Sequence, residues 1–141
     1  MSFLLDTNVV SEWVSPRPDS GVITWLSEAD EDETFLSVIT LAELRRGIAR
    51  MARGRRRARL DEWLRHELPL RFDDRILPID NRVAVMWGDL VSEREADGRP
   101  ISVMDAFIAA TARTHDLTLV TRNAADFVGS VATINNPWTE T

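Results

Sequence analysis

Cysteine is absent from this sequence, which excludes disulfide staples, thiolate zinc sites and cysteine nucleophiles. Lysine is absent too, so all 17 basic residues are arginine. Only two histidines occur, His66 and His115, and a histidine acid–base pair would have to use both. Long hydrophobic runs are also missing. The opening stretch MSFLLDTNVV has no basic leader and meets Asp6 after a short apolar run. It therefore reads as neither a signal peptide nor a membrane span, and the expected location is cytoplasmic, with no membrane partner. No repeat, linker or low-complexity segment divides the chain, so one domain over residues 1–141 is expected.

What is present suits a compact globular domain. Hydrophobic residues make up 44% and charged residues 28%, the balance of a chain able to bury a real core. A net charge of −6 argues at first against nucleic acid, because binding phosphates needs a basic footprint. The distribution reverses that inference. Arg45, Arg46, Arg50, Arg53, Arg55, Arg56, Arg57 and Arg59 fall within residues 45–59, a stretch without any acid. Arg53, Arg56 and Arg57 are candidate RNA contacts, although a solvated helix face would carry the same residues.

Phe3-Leu4-Leu5 predicts a strand that stops at Asp6-Thr7-Asn8, three side chains suited to begin a helix. Val9, Val10, Trp13 and Val14 follow at helical spacing until Pro16 and Pro18, and a second helix near Ser20 would bury Val22, Ile23, Trp25 and Leu26. The acidic run Glu28 to Glu33 reads as a solvated loop. Thr34–Ser37 predicts a second strand, and Val38–Met51 a helix with Glu43 in its first turn and Thr40 placed to cap with it. Gly54 then opens a second amphipathic helix running to Pro69, giving a helical hairpin with basic residues on its tip and flank.

Arg75–Ile79 contains a proline and predicts an edge strand, followed by a helix from Asn81 to Ala96 that stops at Gly98. The stretch from Pro100 to Asp126 is the organising unit. Its alanine-rich helix is apolar nearly all round, so it is expected to pack on more than one side. Asp105 stands in the first turn of that helix after Ser102, where the pair can close a capping box. Leu117–Val120 predicts a strand leading through Thr121-Arg122-Asn123 to Asp126, and Val131–Ile134 a last strand.

In a parallel α/β layer, strand ends and helix starts share one edge, where such folds bind ligands. Asp6, Glu43, Asp105 and Asp126 all fall at such positions. Each could be a cap; together, carboxylates this close repel one another unless a cation joins them. Oxygen-only ligation suits Mg²⁺ or Mn²⁺, ions that can activate a water against a phosphodiester. Thr7, Asn8, Thr121 and Asn123 are candidates to support the acids through hydrogen bonds, as turn chemistry also explains.

These residues resemble a known family. Asp6-Thr7-Asn8, Ala42-Glu43-Leu44, Met104-Asp105-Ala106, Thr121-Arg122-Asn123 with Asp126-Phe127, and the terminal Asn136-Pro137-Trp138 look like a PIN-domain ribonuclease of the VapC type, the toxin half of a bacterial toxin–antitoxin pair. The resemblance covers essentially the whole chain through the order and spacing of these pieces. It implies an α/β three-layer fold with a central, mostly parallel sheet flanked by helices. It further implies Mg²⁺- or Mn²⁺-dependent cleavage of RNA, a homodimer, and a cognate antitoxin protein. Asp6, Glu43 and Asp105 would carry the metal and the catalysis, with Asp126 as fourth acid and Thr121 as polar helper. Many members carry an acid where this chain has Asn123, so the fourth role falls to Asp126 alone. On the same ground the dimer would bury apolar positions around Trp13 and Trp25.

Three rivals remain to be weighed against structure. A phosphorelay receiver also has an acidic Mg²⁺ pocket, but it uses a lysine that this chain lacks. A two-histidine ribonuclease would have to bring His66 and His115 together. A non-catalytic interaction module would use its acids only as helix caps.

Overall fold

The computed structural model describes residues 1–139, so the last two residues of the expected 1–141 domain lie outside it. Five short strands form one sheet: β1 (Phe3–Leu5), β2 (Thr34–Ser37), β3 (Ile76–Leu77), β4 (Thr118–Val120) and β5 (Ile134–Asn135). Their order is β3-β2-β1-β4-β5 and every pairing is parallel. The edge position expected for the Arg75–Ile79 strand is therefore correct, although the strand itself is only Ile76–Leu77 and leaves Pro78 outside it. β1 lies at the centre, with Phe3 opposite both Thr34 and Thr118, and Leu5 opposite Val120.

Because side chains alternate across a strand, β1 and β4 feed two cores. Leu5 and Val120 face one cluster, with Val9, Val10, Val22, Leu44, Ile48, Leu68 and Phe72. Leu4 and Leu119 face the other, with Leu90, Ala106, Ile108, Ala109, Ala112 and Phe127. The first is roofed by α1 (Thr7–Glu12), α2 (Ser20–Glu28), α3 (Val38–Ala49), α4 (Arg55–Glu62) and α5 (Leu68–Phe72). The second is roofed by α6 (Asn81–Ala96) and α7 (Val103–Thr114), with the short α8 (Ala124–Phe127) beside them. Both sheet faces are covered, as parallel sheets require, and three layers result. No described helix is long and apolar enough to cross a membrane.

Both helices of the second layer end in the same device. After α6, Gly98 adopts φ +67°, its N–H donates to the Glu95 carbonyl, and the Arg99 N–H donates to the Arg94 carbonyl. This double closure satisfies carbonyls that the helix end leaves unpaired. α7 ends identically, but the left-handed position is held by Asp116 at φ +53°.

Four expectations require correction. The helix expected to stop at Pro69 runs through it to Phe72, because residues Trp63–Glu67 widen into a π turn in which the Leu68 N–H reaches the Trp63 carbonyl. A wider turn makes room for a proline ring that an α-helix would force against the carbonyl four residues back. The last strand forms at Ile134–Asn135 rather than Val131–Ile134, since Val131 instead bridges Val128 across a turn at Gly129, φ +85°. Ile23, expected inside, is 37% exposed. Glu31–Glu33 is a 3₁₀ turn capped by Asp30, tied down where Arg71 pairs with Glu31 and Ser2 donates to Glu33.

Trp13 and Trp25, expected in a dimer contact, are half-buried within the chain itself. Trp13 packs on Phe72 under the Arg71 guanidinium, which lies 4.0 Å from its ring centre, and Trp25 meets Phe3 edge-on.

A carboxylate edge as candidate functional site

Asp6 ends β1 and caps α1. Its backbone N–H continues the ladder to the Val120 carbonyl at 2.9 Å, which fixes the residue at the carboxyl edge beside the end of β4. Its two carboxylate oxygens are both used. Oδ1 accepts from the Thr7 N–H at 2.8 Å, and Oδ2 accepts from the Thr121 hydroxyl at 2.8 Å. The Thr121 oxygen in turn accepts the Asn123 N–H at 3.0 Å, which leaves its own proton free for Asp6. Asn8 closes the group, its amide 3.5 Å from Thr121 Oγ1 and its carbonyl oxygen accepting the Arg122 N–H at 3.4 Å.

Asp6 is 5% exposed, and burial pushes its pKa up from 3.8 to about 6. The bonds from Thr121 and Thr7 oppose that rise, while the negative charges of Asp105 and Glu43 add to it. Three acids expected on one edge are thus electrostatically coupled there.

Glu43 corrects the capping expectation. α3 begins at Val38 and its cap is Ser37, whose hydroxyl accepts the Ile39 N–H, so Glu43 lies beyond the first turn and Thr40 is a buried interior residue. Glu43 accepts instead from the Thr7 hydroxyl at 2.6 Å. Thr7 Oγ1 is also 3.2 Å from Thr40 Oγ1. One proton serves one acceptor, and the shorter contact to a charged oxygen selects Glu43, leaving Thr40 to donate to Thr7. Thr40 is a supporting residue that sequence reasoning misassigned as a cap.

Asp105 keeps half of its expected capping box: its N–H donates to Ser102 Oγ at 3.2 Å. No reciprocal bond to the Ser102 N–H occurs among the described residues. Its pKa is raised by burial first; Ser102 opposes this, Asp126 adds to it, and Arg94 opposes it. Asp126 sits in the exposed first turn of α8, from which its charge acts on Asp105. Asn123 precedes α8 without a side-chain cap and uses its N–H on Thr121.

The candidate arginines divide. Arg56 lines a cleft of about 350 Å³ that runs from Thr7 and Glu43 over Leu44, Ile48 and Trp63, and it donates to the Val14 carbonyl at 3.3 Å. Arg53 and Arg57 line a different concavity with Arg45 and Asp61, where Arg57 donates to the Met51 carbonyl. Neither histidine reaches the carboxylate edge: His66 lies in the π turn 3.7 Å from Glu62, and His115 ends α7 opposite Asp105. His66 belongs to the first helical layer and His115 ends a helix of the second, so no contact among the described residues pairs them.

The donors facing this edge are oxygen atoms only, the chemistry of a hard divalent cation. Among the described residues, no group of three or more acidic or histidine side chains is placed, as the side chains stand, to hold one metal ion between them. A buried carboxylate at about 6 beside two further acids is nevertheless the arrangement that a cation relieves. Mg²⁺ keeps several of its waters, so an open set of carboxylates fits it better than a cage would.

Comparison with known proteins finds that residues 3–127 match the PIN domain model. Toxin FitB of Neisseria gonorrhoeae is 39% identical over 135 residues, covering 96% of this chain and 97% of that protein. VapC ribonuclease Y4jK of Sinorhizobium fredii is 36% identical, covering 96% of each. Among solved structures, FitAcB from Neisseria gonorrhoeae superposes with a TM-score of 0.91 at 38% identity, covering 98% of this chain and 99% of that one. VapBC-5 from Mycobacterium tuberculosis, a member of the VapBC family of toxin–antitoxin systems, superposes with a TM-score of 0.67 at 28% identity, covering 96% and 98%.

Proposed function

Because this chain belongs to the PIN domain family, we propose that it is a Mg²⁺- or Mn²⁺-dependent endoribonuclease, the toxin of a bacterial type II toxin–antitoxin pair. The observation that carries the reading is Asp6: buried, held by Thr7 and Thr121, and coupled to Glu43 and Asp105 at one edge. The names of its relatives support the ribonuclease and toxin roles, and the toxin–antitoxin structure supports a cognate antitoxin as partner.

In this reading Asp6, Glu43 and Asp105 hold the ion, with Asp126 as a fourth acid. When bound, the ion supplies an activated water and neutralises charge on the phosphodiester. Thr121 fixes the orientation of Asp6, and Thr7, steadied by Thr40, fixes Glu43. Glu43 Oε1 accepts the Thr7 proton, and no hydrogen bond to Oε2 occurs among the described residues. The cleft from Glu43 to Arg56 leads an RNA strand past Glu43, with the guanidinium for a phosphate. Its apolar lining also suits an antitoxin segment, which would close that path. A homodimer belongs to the same reading. Exposed Val85, Val103 and Met104, on α6 and α7, are better placed for it than Trp13 and Trp25.

The test is cleavage of cellular RNA by purified protein in millimolar Mg²⁺ or Mn²⁺ and in excess EDTA, with the cut ends sequenced. Cleavage is expected only with the ions, and Asp6→Asn and Glu43→Gln should each lower it about a hundredfold. Undiminished cutting in EDTA would refute the proposal.

A further inference from the structure

The positions Val83, Leu90 and Arg94 form the buried face of α6, so a charged residue occupies a core position of that helix. Arg94 is 8% exposed. Its Nε donates to the Arg99 carbonyl at 2.6 Å, and its Nη1 to the Asp126 carbonyl at 3.0 Å and to Ser130 Oγ at 2.7 Å. None of the ion pairs among the described residues includes it. A guanidinium buried without a carboxylate in salt-bridge contact, its charge reaching Asp105 only at longer range, is costly, and an apolar side chain of similar volume would serve stability as well or better. The contacts therefore point to something that an apolar residue could not do.

All three acceptors lie on the segments that carry the two acids of this side of the site. Arg99 leads through Ser102 into the first turn of α7, where Asp105 stands. The Asp126 carbonyl and Ser130 belong to the segment after β4, one turn of helix anchored in the core by Phe127, with Asp126, Val128 and Gly129 exposed beside the buried Ser130. Arg99 adds a parallel tie, Nη2 to the Val128 carbonyl at 3.2 Å. A planar, forked cation can hold two such segments at a fixed angle, which a lysine or a methionine cannot.

We propose that Arg94 is a positioning residue that locks the 126–130 loop to the start of α7, so that Asp126 is presented to Asp105. The consequence for catalysis rests on the nuclease reading above; the locking itself does not. Arg94→Met, Arg94→Lys, Ser130→Ala, Asp126→Ala and the double variant Arg94→Met/Asp126→Ala are compared with the parent. Backbone amide exchange is measured throughout the chain, together with kcat and KM for RNA at saturating Mg²⁺.

In Arg94→Met, the amides of Phe127, Val128 and Ser130 should exchange at least about tenfold faster while those of β1 and β4 stay as in the parent. The kcat should fall about 10- to 100-fold, as when a contact behind a ligand is lost, with KM little changed. If Arg94 acts through Asp126, the double variant is no worse than the poorer single variant; losses that multiply would overturn the proposal. Loop exchange equal to the parent's would overturn it as well. Arg94→Lys keeps the charge but loses the fork, so it should behave like Arg94→Met, and full recovery by lysine counts against positioning. Should Arg94→Met not fold, Arg94→Lys and Ser130→Ala carry the same comparison. A parent that cuts no RNA refutes the nuclease reading, and the exchange measurement then decides the locking alone.

Discussion

Replacing Asp6 by asparagine distinguishes a crowded carboxylate from a simple helix cap. With a pKa near 3.8 in the unfolded chain and about 6 in the folded one, Asp6 holds a proton in the native state that the unfolded state has already released across that interval. Stability must therefore fall as pH rises from about 4 to 6, and the penalty is complete above it. At about 1.4 kcal/mol per pH unit it amounts to about 3 kcal/mol. Asparagine matches the neutral acid in shape and escapes this penalty. Its amide serves the Thr121 proton less well, a loss of about 1 kcal/mol. In EDTA at pH 7.5 the variant should thus be about 2 kcal/mol more stable than the parent, with the difference passing through zero near pH 4.5 and turning to about 1 kcal/mol in the parent's favour at lower pH. Urea denaturation at several pH values reads this directly. Taking the difference between the two proteins cancels Asp19, Asp80 and Glu93, whose depressed pKa values work in the opposite direction. Millimolar Mg²⁺ should then stabilise the parent much more than the variant. Parallel curves at all pH values, or a parent that gains on the variant as pH rises from 4.5 to 6.5, would show that Asp6 is a contented cap.

Asp116→Gly removes a non-glycine residue from φ +53° and a negative charge from the carboxyl end of α7, and should stabilise the protein by about 1 kcal/mol, raising its melting temperature by roughly 3 °C. An unchanged or lower melting temperature would show that Asp116 adopts this conformation without cost. Of the three candidate arginines only Arg56 shares a cleft with Glu43, so Arg56→Gln should weaken RNA binding and lower the slope of log affinity against log salt by about 0.7, while Arg53→Gln and Arg57→Gln change little. Equal effects at all three positions would mean that RNA follows the whole basic segment.

The parallel sheet and its acidic edge were legible because they follow from local rules. Apolar runs ending in Asp6 and Thr121 mark neighbouring strand ends, and an alanine-rich helix behind Asp105 has to be buried. The capping reading of Glu43 failed because Thr40 and Ser37 are both competent caps, and only the end of β2 decides which one is used. Pro69 misled for a related reason: it forbids an α-turn but not a π turn. Ile23 lies at helical spacing from its buried neighbours, yet α2 exposes that flank. Arg94 carried the one unread signal, a charge four residues after Leu90 on an otherwise apolar stripe. Its acceptors are backbone carbonyls and a serine, which no residue pattern announces.

The bond from Thr121 to Asp6 joins residues 115 apart in sequence. β1 is the first strand made, yet its two flanking partners and the acids that complete its edge are added at positions 34, 43, 105 and 118. Such long-range closure is slow relative to local helix formation. A ribosome that has made the first hundred residues has made Asp6 and Glu43 but neither Asp105 nor the strand that aligns Asp6. On the nuclease reading proposed above, the order of synthesis itself prevents the acids from assembling until the final third of the chain has been made and folded back onto its first strand.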